Sequence, residues 1–148
     1  MAERRPGLLP YAYAPLRVVP RVERGEGLNV GVVLYSRPAR FLGVRTGFDE
    51  ARLRAFWPGL DTDAIRRHLD VLRLVAAGDP AGGRIALLPP HERFGWLTAP
   101  ASTIVQPGPV HGGACPDPEA ALAELFDRLV ALPGGDDPGP GEIGAETA

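Results

Sequence analysis

The sequence predicts an α+β fold in which an antiparallel sheet of about five strands carries helices packed on one face. Three apolar, β-branched segments near the start of the chain are joined by links of hairpin length. Such links suit antiparallel pairing and argue against a doubly wound parallel sheet. The hydrophobic period then lengthens from two residues to about 3.6, and strand-like segments and a further helix follow.

The strongest strand signal covers residues 28–35, with the sequence LNVGVVLY. Its alternate residues are expected to share one buried face: Leu28, Val30, Val32 and Leu34. The opposite face is also largely apolar, which is typical of a central strand. Gly31 in mid-strand indicates a bulge or the close approach of another group. Residues 11–19 and 40–46 are the neighbouring strands expected on either side.

Three segments have helical spacing of apolar residues, and an aspartate opens each of them. The predicted helices cover residues 50–57, 61–77 and 118–132. Asp49, Asp61 and Asp117 are the corresponding N-caps, and Pro118 suits the first helical position.

Four shorter segments lie between the last two helices. Residues 85–88 are apolar and suit either a strand or a packed loop. Residues 94–98 and 102–105 are predicted as strands. Residues 106–113 contain two prolines and three glycines, so an irregular loop is expected there.

The expected domain organisation is simple. Residues 1–9 are a flexible lead-in, residues 10–132 form a single α+β domain, and residues 133–148 form a disordered acidic tail. The tail contains mainly Gly, Pro, Asp and Glu and has little to bury.

The charge composition excludes several functions. The formal net charge is −2, which disfavours a protein whose main role is to bind nucleic acid. All 16 basic residues are arginine. Without lysine the chain can form neither a Schiff base with pyridoxal phosphate nor a Walker-type phosphate loop. We therefore expect no cofactor. The abundance of Arg, Ala, Gly and Pro indicates a bacterial genome rich in GC.

The single cysteine, Cys115, excludes an intrachain disulfide. His111 and Cys115 have a spacing that would suit two metal ligands, but no second pair completes a tetrahedral site, so no metal is expected. No apolar run has the length of a signal-peptide core or a membrane span, which predicts a soluble cytoplasmic protein.

Polar residues that lie in or beside apolar strands are the candidates for a ligand or anion site. They are Arg17, Glu26, Asn29, Arg93, Ser102, Gln106 and His111. An inward-pointing Arg17 would need a carboxylate or a bound anion, and Glu26 is one candidate carboxylate. The alternative is that the arginines face solvent and that the hydroxyls satisfy backbone groups.

Several motifs together resemble the bacterial family catalogued as domain of unknown function 3037. They are YAPLRVVP from Tyr13, RGEGLNVGVVL from Arg24, RFGWLTAP from Arg93, and STIVQPGPVH from Ser102. The resemblance covers about residues 10–132. It implies no established activity and no agreed catalytic residues. Members are often encoded beside HipA-like serine/threonine kinases of the toxin–antitoxin type, so it implies such a kinase as a partner.

Two functions stay open at this point, and whether the protein is an enzyme is not decided. One is a non-catalytic accessory or interaction protein, associated with a HipA-like kinase. The other is an enzyme or ligand-binding domain with an Arg-rich anion pocket, in which His111 would be the general base. The second function requires Arg17, Asn29, Arg93, Ser102 and His111 to converge in space.

Overall fold

The chain is described here by a computed structural model over residues 7–131 and 142–147. Within these residues six strands form one antiparallel sheet, which confirms the predicted α+β class. The strands are β1 (Leu9–Val18), β2 (Leu28–Ser36), β3 (Phe41–Thr46), β4 (Val105–Pro107), β5 (His111–Cys115) and β6 (Glu142–Thr147).

The first three strands are consecutive neighbours, as the short links predicted. The order across the sheet is β4-β1-β2-β3-β6, and β5 also pairs with β1. β4 pairs with residues 16–18 of β1, and β5 pairs with residues 9–13. Two short strands therefore share one edge of the sheet, while β6 forms the opposite edge.

A β-bulge interrupts the pairing of β1 with β2. The register changes between Leu16, which pairs with Gly31, and Arg17, which pairs with Asn29, so Val30 is the extra residue. A Cβ atom at Gly31 would lie 2.9 Å from the Arg45 carbonyl oxygen, so glycine is required for this close approach. The bulge confirms the interpretation of the mid-strand glycine.

The bulge also changes which residues of β2 share a face. Leu28 and Val30 pack into one core, whereas Val32 and Leu34 pack into another. The expectation that all four residues share one face is therefore wrong, because strict alternation fails where a residue is inserted.

Four helices surround the sheet in the described residues: α1 (Glu50–Phe56), α2 (Thr62–Ala77), α3 (Pro90–Leu97) and α4 (Pro118–Leu129). The predicted N-caps of three of them are confirmed. Asp49, Asp61 and Asp117 each accept a hydrogen bond from a backbone N–H in the first turn of the helix that follows.

The helices cover both faces of the sheet rather than one. The first core contains Leu16 and Val33 of the sheet with Leu69 of α2 and Leu97 of α3. The second core contains Val32, Leu34 and Phe41 of the sheet with Leu122 and Phe126 of α4. Val32 and Val33 are consecutive in β2 and point in opposite directions, so α4 lies across the sheet from α2. The sequence indicated that both faces of the sheet are covered, because both faces of β2 are largely apolar.

The segment predicted as a strand over residues 94–98 is helical, since α3 includes all but its last residue. Pro90 occupies the first turn of the helix, where its missing N–H is not needed, and Glu92 suits the same turn. The aromatic residues Phe94 and Trp96 suggested a strand, but the proline that starts the helix, Pro90, lies before them. Residues 85–88 were expected to form a strand or a packed loop; they are not a strand, and Arg84–Leu87 forms a 3₁₀ turn in which Ala86 is buried.

The segment over residues 102–113 also differs from expectation. The strand begins at Val105, not at residue 102, and continues to Pro107, while β5 begins at His111. Residues 102–104 before β4 and residues 108–110 between β4 and β5 are irregular. Proline is tolerated in β4 because this strand lies at the edge of the sheet.

β6 lies within the segment expected to be a disordered tail. Residues 142–147 pair with β3 from Thr46 to Phe41, so the expectation does not hold for them. Residues 132–141 lie outside the described residues, as do residues 1–6 of the expected lead-in. The composition of this segment did not predict a strand, because β6 is held by backbone hydrogen bonds rather than by large apolar side chains. Within the described residues, no helix combines the length and apolarity that crossing a membrane requires.

Candidate functional site

The structure divides the seven candidate residues among different parts of the fold. Arg17, Asn29 and Gln106 are neighbours across three strands. Arg93 lies on the opposite face of the sheet, beside α2. Glu26, Ser102 and His111 are exposed at separate positions on the surface. The single pocket that would unite these residues is therefore not formed.

Arg93 is held inside the protein by its own hydrogen bonds. Its side chain is 2% exposed. Nε donates to the Leu88 carbonyl at 2.8 Å, and Nη1 donates to the carbonyls of Val75 and Ala76 at 3.0 and 2.9 Å. Nη2 forms an ion pair with Glu146 of β6.

These contacts explain why an arginine is buried at this position. Val75 and Ala76 belong to the last turn of α2, whose carbonyls lack the N–H groups that a further turn would supply; the N–H of the C-cap residue Gly78 also donates to Val75, at 3.1 Å. A cation is favourable at this end of a helix. Arg93 therefore connects α3, α2 and β6, and four of its five N–H groups are occupied by the protein.

The second group of candidates forms a row across the sheet. Arg17 lies in β1 between Asn29 of β2 and Gln106 of β4. The bulge in β2 places Asn29 on the same face as α4. Val105 packs into the first core, so the next residue, Gln106, also points toward the α4 side. Three polar side chains thus meet on one face.

Local contacts occupy part of this row. Asn29 Nδ2 donates to the Leu129 carbonyl at 3.0 Å, at the end of α4. Gln106 Nε2 donates to the Thr103 carbonyl at 2.9 Å. Arg17 is half-buried, and its Nη2 donates over a longer distance, 3.4 Å, to the Gly27 carbonyl. Arg17 is therefore less firmly held than Arg93.

The remaining three candidates do not join the row. Glu26 is exposed and forms an ion pair with Arg24, so it is not a buried carboxylate for Arg17. Ser102 is exposed in the segment between α3 and β4. His111 is the partner of Tyr13 in β5, which places it roughly 13 Å along the sheet from Arg17.

Aromatic rings continue the face of β1 beyond Arg17. The ring centroid of Tyr13 lies 5.5 Å from that of His111 and 6.0 Å from that of Tyr11. Both tyrosines pack against the second core. Partial burial raises the pKa of the Tyr11 hydroxyl, so this group is a neutral donor at physiological pH.

Cys115 is the last residue of the edge strand β5 and is buried. Burial is the main cause that raises the pKa of its thiol, so the thiolate is disfavoured. His111 and Cys115 lie at opposite ends of β5. Within residues 7–131 and 142–147, no three His, Cys, Asp or Glu side chains form a group suited to a metal ion.

A cleft on the face of the first core was not anticipated from the sequence. It has a volume of about 200 Å³ and is bounded by α2, α3 and the segment leading into β4. Most of its lining is apolar, and its main side chains are Leu16, Leu72, Leu97, Val105, His68 and Trp96. Ala101 and Thr103 come from the connecting segment.

His68 and Trp96 are the distinctive residues of this cleft. His68 is half-buried, and burial lowers the pKa of its imidazole. Trp96 is 42% exposed. His68 and Leu72 are four residues apart in α2, so helical spacing indicated a shared face. The strand prediction for residues 94–98 hid the position of Trp96.

The dimensions and lining of the cleft limit what it can bind. Small-molecule sites usually have volumes of about 300–1,000 Å³, so this cleft is smaller. It suits one large apolar side chain rather than a substrate with several charged groups. Its titratable group, His68, favours the neutral form. The cleft therefore resembles an anchor site at a protein interface more than a catalytic centre.

Comparison with known proteins gave one finding. A family model described as protein of unknown function (DUF3037) matches residues 13–130. That span begins within β1, includes β2 to β5 and the four described helices, and ends before β6. No curated protein and no solved structure matches the chain.

Proposed function

The chain belongs to the DUF3037 family of proteins of unknown function, and on that premise we propose that it is a non-catalytic interaction protein. The cleft lined by His68 and Trp96 is the site at which it binds a partner protein. A large apolar side chain of the partner enters the cleft, and Trp96 packs against it. The setting proposed for this interaction is the bacterial cytoplasm.

The exposure of Trp96 is the observation that carries this proposal. Tryptophan is among the residues most enriched at energetically important interface positions. Trp96 leaves 42% of its surface in solvent beside an apolar depression. Val71 of α2, three residues after His68, is also 42% exposed. Covering these side chains would remove apolar surface from water at about 25 cal/mol per Å².

The partner we propose is a HipA-like serine/threonine kinase. The support is the resemblance to the DUF3037 family, whose members are often encoded beside such kinases. In this account the protein binds the kinase and changes its activity without performing chemistry of its own.

Co-purification and affinity measurements test this proposal. The tagged protein should retain the HipA-like kinase encoded nearby, and titration calorimetry should give a saturable heat. Ala101→Glu places a carboxylate at an exposed position of the cleft lining, where it would be desolvated by the partner. We expect it to weaken binding at least about tenfold, equivalent to about 1.4 kcal/mol.

A matched variant separates the cleft from general effects of charge. Ala120→Glu introduces the same side chain at an exposed position of α4, on the other face of the sheet. It should change affinity by less than about twofold. Absence of association with the kinase, together with unchanged kinase activity, would remove the proposal. Equal affinity of both variants would exclude the cleft.

The alternative function, an anion-binding domain or enzyme, is supported by the row of Arg17, Asn29 and Gln106. Arg17 is the residue that would hold the anion, since its described hydrogen bond is long. Inorganic phosphate titrated into the ¹⁵N-labelled protein should then shift signals of β1 and β4, and Arg17→Ala should abolish the shifts. No shifts at millimolar phosphate would eliminate this function.

A further inference from the structure

His68 is the polar side chain of the cleft that most requires a partner. Three side chains of the lining carry polar atoms: His68, Trp96 and Thr103. The Thr103 hydroxyl donates to the Val105 carbonyl at 2.8 Å, and Trp96 is 42% exposed to solvent. His68 is half-buried, and within the described residues its imidazole forms no hydrogen bond and no ion pair. In the free protein the ring nitrogens of His68 therefore depend on solvent.

A side chain that enters the cleft removes His68 from this solvent. Burial lowers the pKa of the imidazole, so the ring is neutral and has one N–H donor and one acceptor nitrogen. A buried donor or acceptor without a partner loses more free energy than a hydrogen bond gains. An anchor that is entirely apolar, such as leucine or phenylalanine, would leave the imidazole in that state. An anchor with a polar group at its far end avoids the loss.

Tyrosine is the side chain that meets both requirements of the cleft. Its ring supplies an apolar body for the walls formed by Leu72 and Leu97, and it can pack against the indole of Trp96. Its hydroxyl both donates and accepts, so it can pair with either tautomer of neutral His68. The tryptophan indole only donates, and it is bulkier in a cleft of about 200 Å³.

We propose that the anchor in the cleft is a tyrosine of the partner protein, with its ring against Trp96 and its hydroxyl hydrogen-bonded to His68. This inference rests on the proposed binding function of the cleft and names the side chain that the cleft recognises. The tyrosine comes from a different protein, because the three tyrosines of this chain lie in β1 and β2 and are part of the sheet. A second copy of the chain therefore has no tyrosine to offer.

Amino-acid amides test the chemistry of the cleft without a partner protein. N-acetyl-L-tyrosinamide and N-acetyl-L-phenylalaninamide are titrated separately into the ¹⁵N-labelled full chain, and shifts of the Trp96 and Leu72 signals give each affinity. The tyrosine amide should bind at least about threefold more tightly, because it replaces the hydrogen bond that His68 loses with the solvent. N-acetyl-L-leucinamide should bind more weakly than both, since it has no ring to pack against Trp96.

Histidine variants show whether the imidazole provides this preference. His68→Leu removes both ring nitrogens, and it should bring the affinities of the tyrosine and phenylalanine amides within about twofold of each other. His68→Gln retains a donor and an acceptor and should keep part of the preference. His91→Leu is the matched control, because His91 is exposed in α3 and is not part of the lining. It should leave the preference unchanged.

Three results would overturn the inference. The first is equal affinity of the two aromatic amides for the original chain. The second is a preference that persists in His68→Leu, because another group would then recognise the hydroxyl. The third is the absence of shifts at Trp96 with about 20 mM tyrosine amide, well above the dissociation constant expected for a ligand of this size.

The outcome for the kinase is separate from the outcome for the amides. If the kinase associates through the cleft and the amides show no preference, the proposed function stands and the tyrosine anchor is rejected. If the tyrosine amide is preferred and the kinase does not associate, the recognition by His68 stands and the proposed partner is rejected.

Discussion

Arg93 and Arg17 were grouped in one predicted anion site, but their surroundings differ in a way that separates scaffold from surface. Arg93 is 2% exposed and contacts three carbonyls and a carboxylate. Arg17 is half-buried, and its described hydrogen bond to Gly27 measures 3.4 Å. Arg93 therefore connects α3, α2 and β6, whereas Arg17 borders a partly exposed face of the sheet.

The two faces of the sheet differ in the same sense. On the face of the first core, buried polar contacts fix α2, α3 and β6 around Arg93, and the cleft opens beside them. On the α4 face, Tyr13 and Arg17 of β1 are only half-buried. Polar residues near an apolar strand are thus a weak indicator of a ligand site, because their role depends on which helices and strands pack over them.

Arg93→Ala should produce the largest loss of stability and gives the sharpest contrast between the two arginines. It removes the Arg93 donors to the carbonyls of Ala76 and Leu88 and to the carboxylate of Glu146, which should lower the free energy of unfolding by roughly 3–5 kcal/mol. Arg17→Ala should lower it by about 1 kcal/mol or less. Urea denaturation followed by circular dichroism measures both. Equal losses would show that the two arginines have equivalent structural roles.

Asn29→Ala should have an intermediate effect, since it removes one hydrogen bond to the end of α4. The expected loss is about 1 kcal/mol. Hydrogen exchange of the amides in the last turn of α4 should accelerate, while those of α2 should not change. Acceleration spread equally over both helices would contradict this local role.

His68 should produce the smallest effect, on the pH dependence of stability. Burial lowers the pKa of His68 below its ordinary value of about 6.5 in the folded state. The unfolded chain then binds a proton more readily, so the free energy of unfolding decreases as pH falls through about 6.5 toward the lower folded pKa.

Denaturation at several pH values compares two histidine variants. His68→Gln should reduce the slope of stability between about pH 7 and pH 5. His91→Gln is the control, because His91 is exposed on α3. An unchanged slope in His68→Gln would show that the imidazole is fully solvated in the folded protein.

Much of the scaffold follows from local sequence signals. Short links between apolar segments placed β1, β2 and β3, and aspartate caps placed three helices. The errors arose where a local pattern has two interpretations. Residues 94–98 have the composition of a strand, whereas Pro90 starts a helix four residues earlier. The bulge at Val30 reversed the expected alternation, although Gly31 signalled it.

The candidate sites were less predictable because they depend on long-range packing. Arg93 and Glu146 are far apart in the sequence, and the acidic composition around Glu146 hid its role as a partner. The cleft combines residues from α2, α3 and β4, so no local motif describes it. By contrast, the row of Arg17, Asn29 and Gln106 follows from strand pairing once the register is known.

The environment of Trp96 during partner binding tests the central claim most directly. Trp57→Phe leaves Trp96 as the single tryptophan, and incorporation of 5-fluorotryptophan then gives one ¹⁹F signal. Unlabelled HipA-like kinase should shift or broaden this signal in a saturable manner, and Ala101→Glu should require at least about tenfold more kinase for the same change. A kinase that binds the protein while the Trp96 signal stays unchanged at saturation would contradict the account.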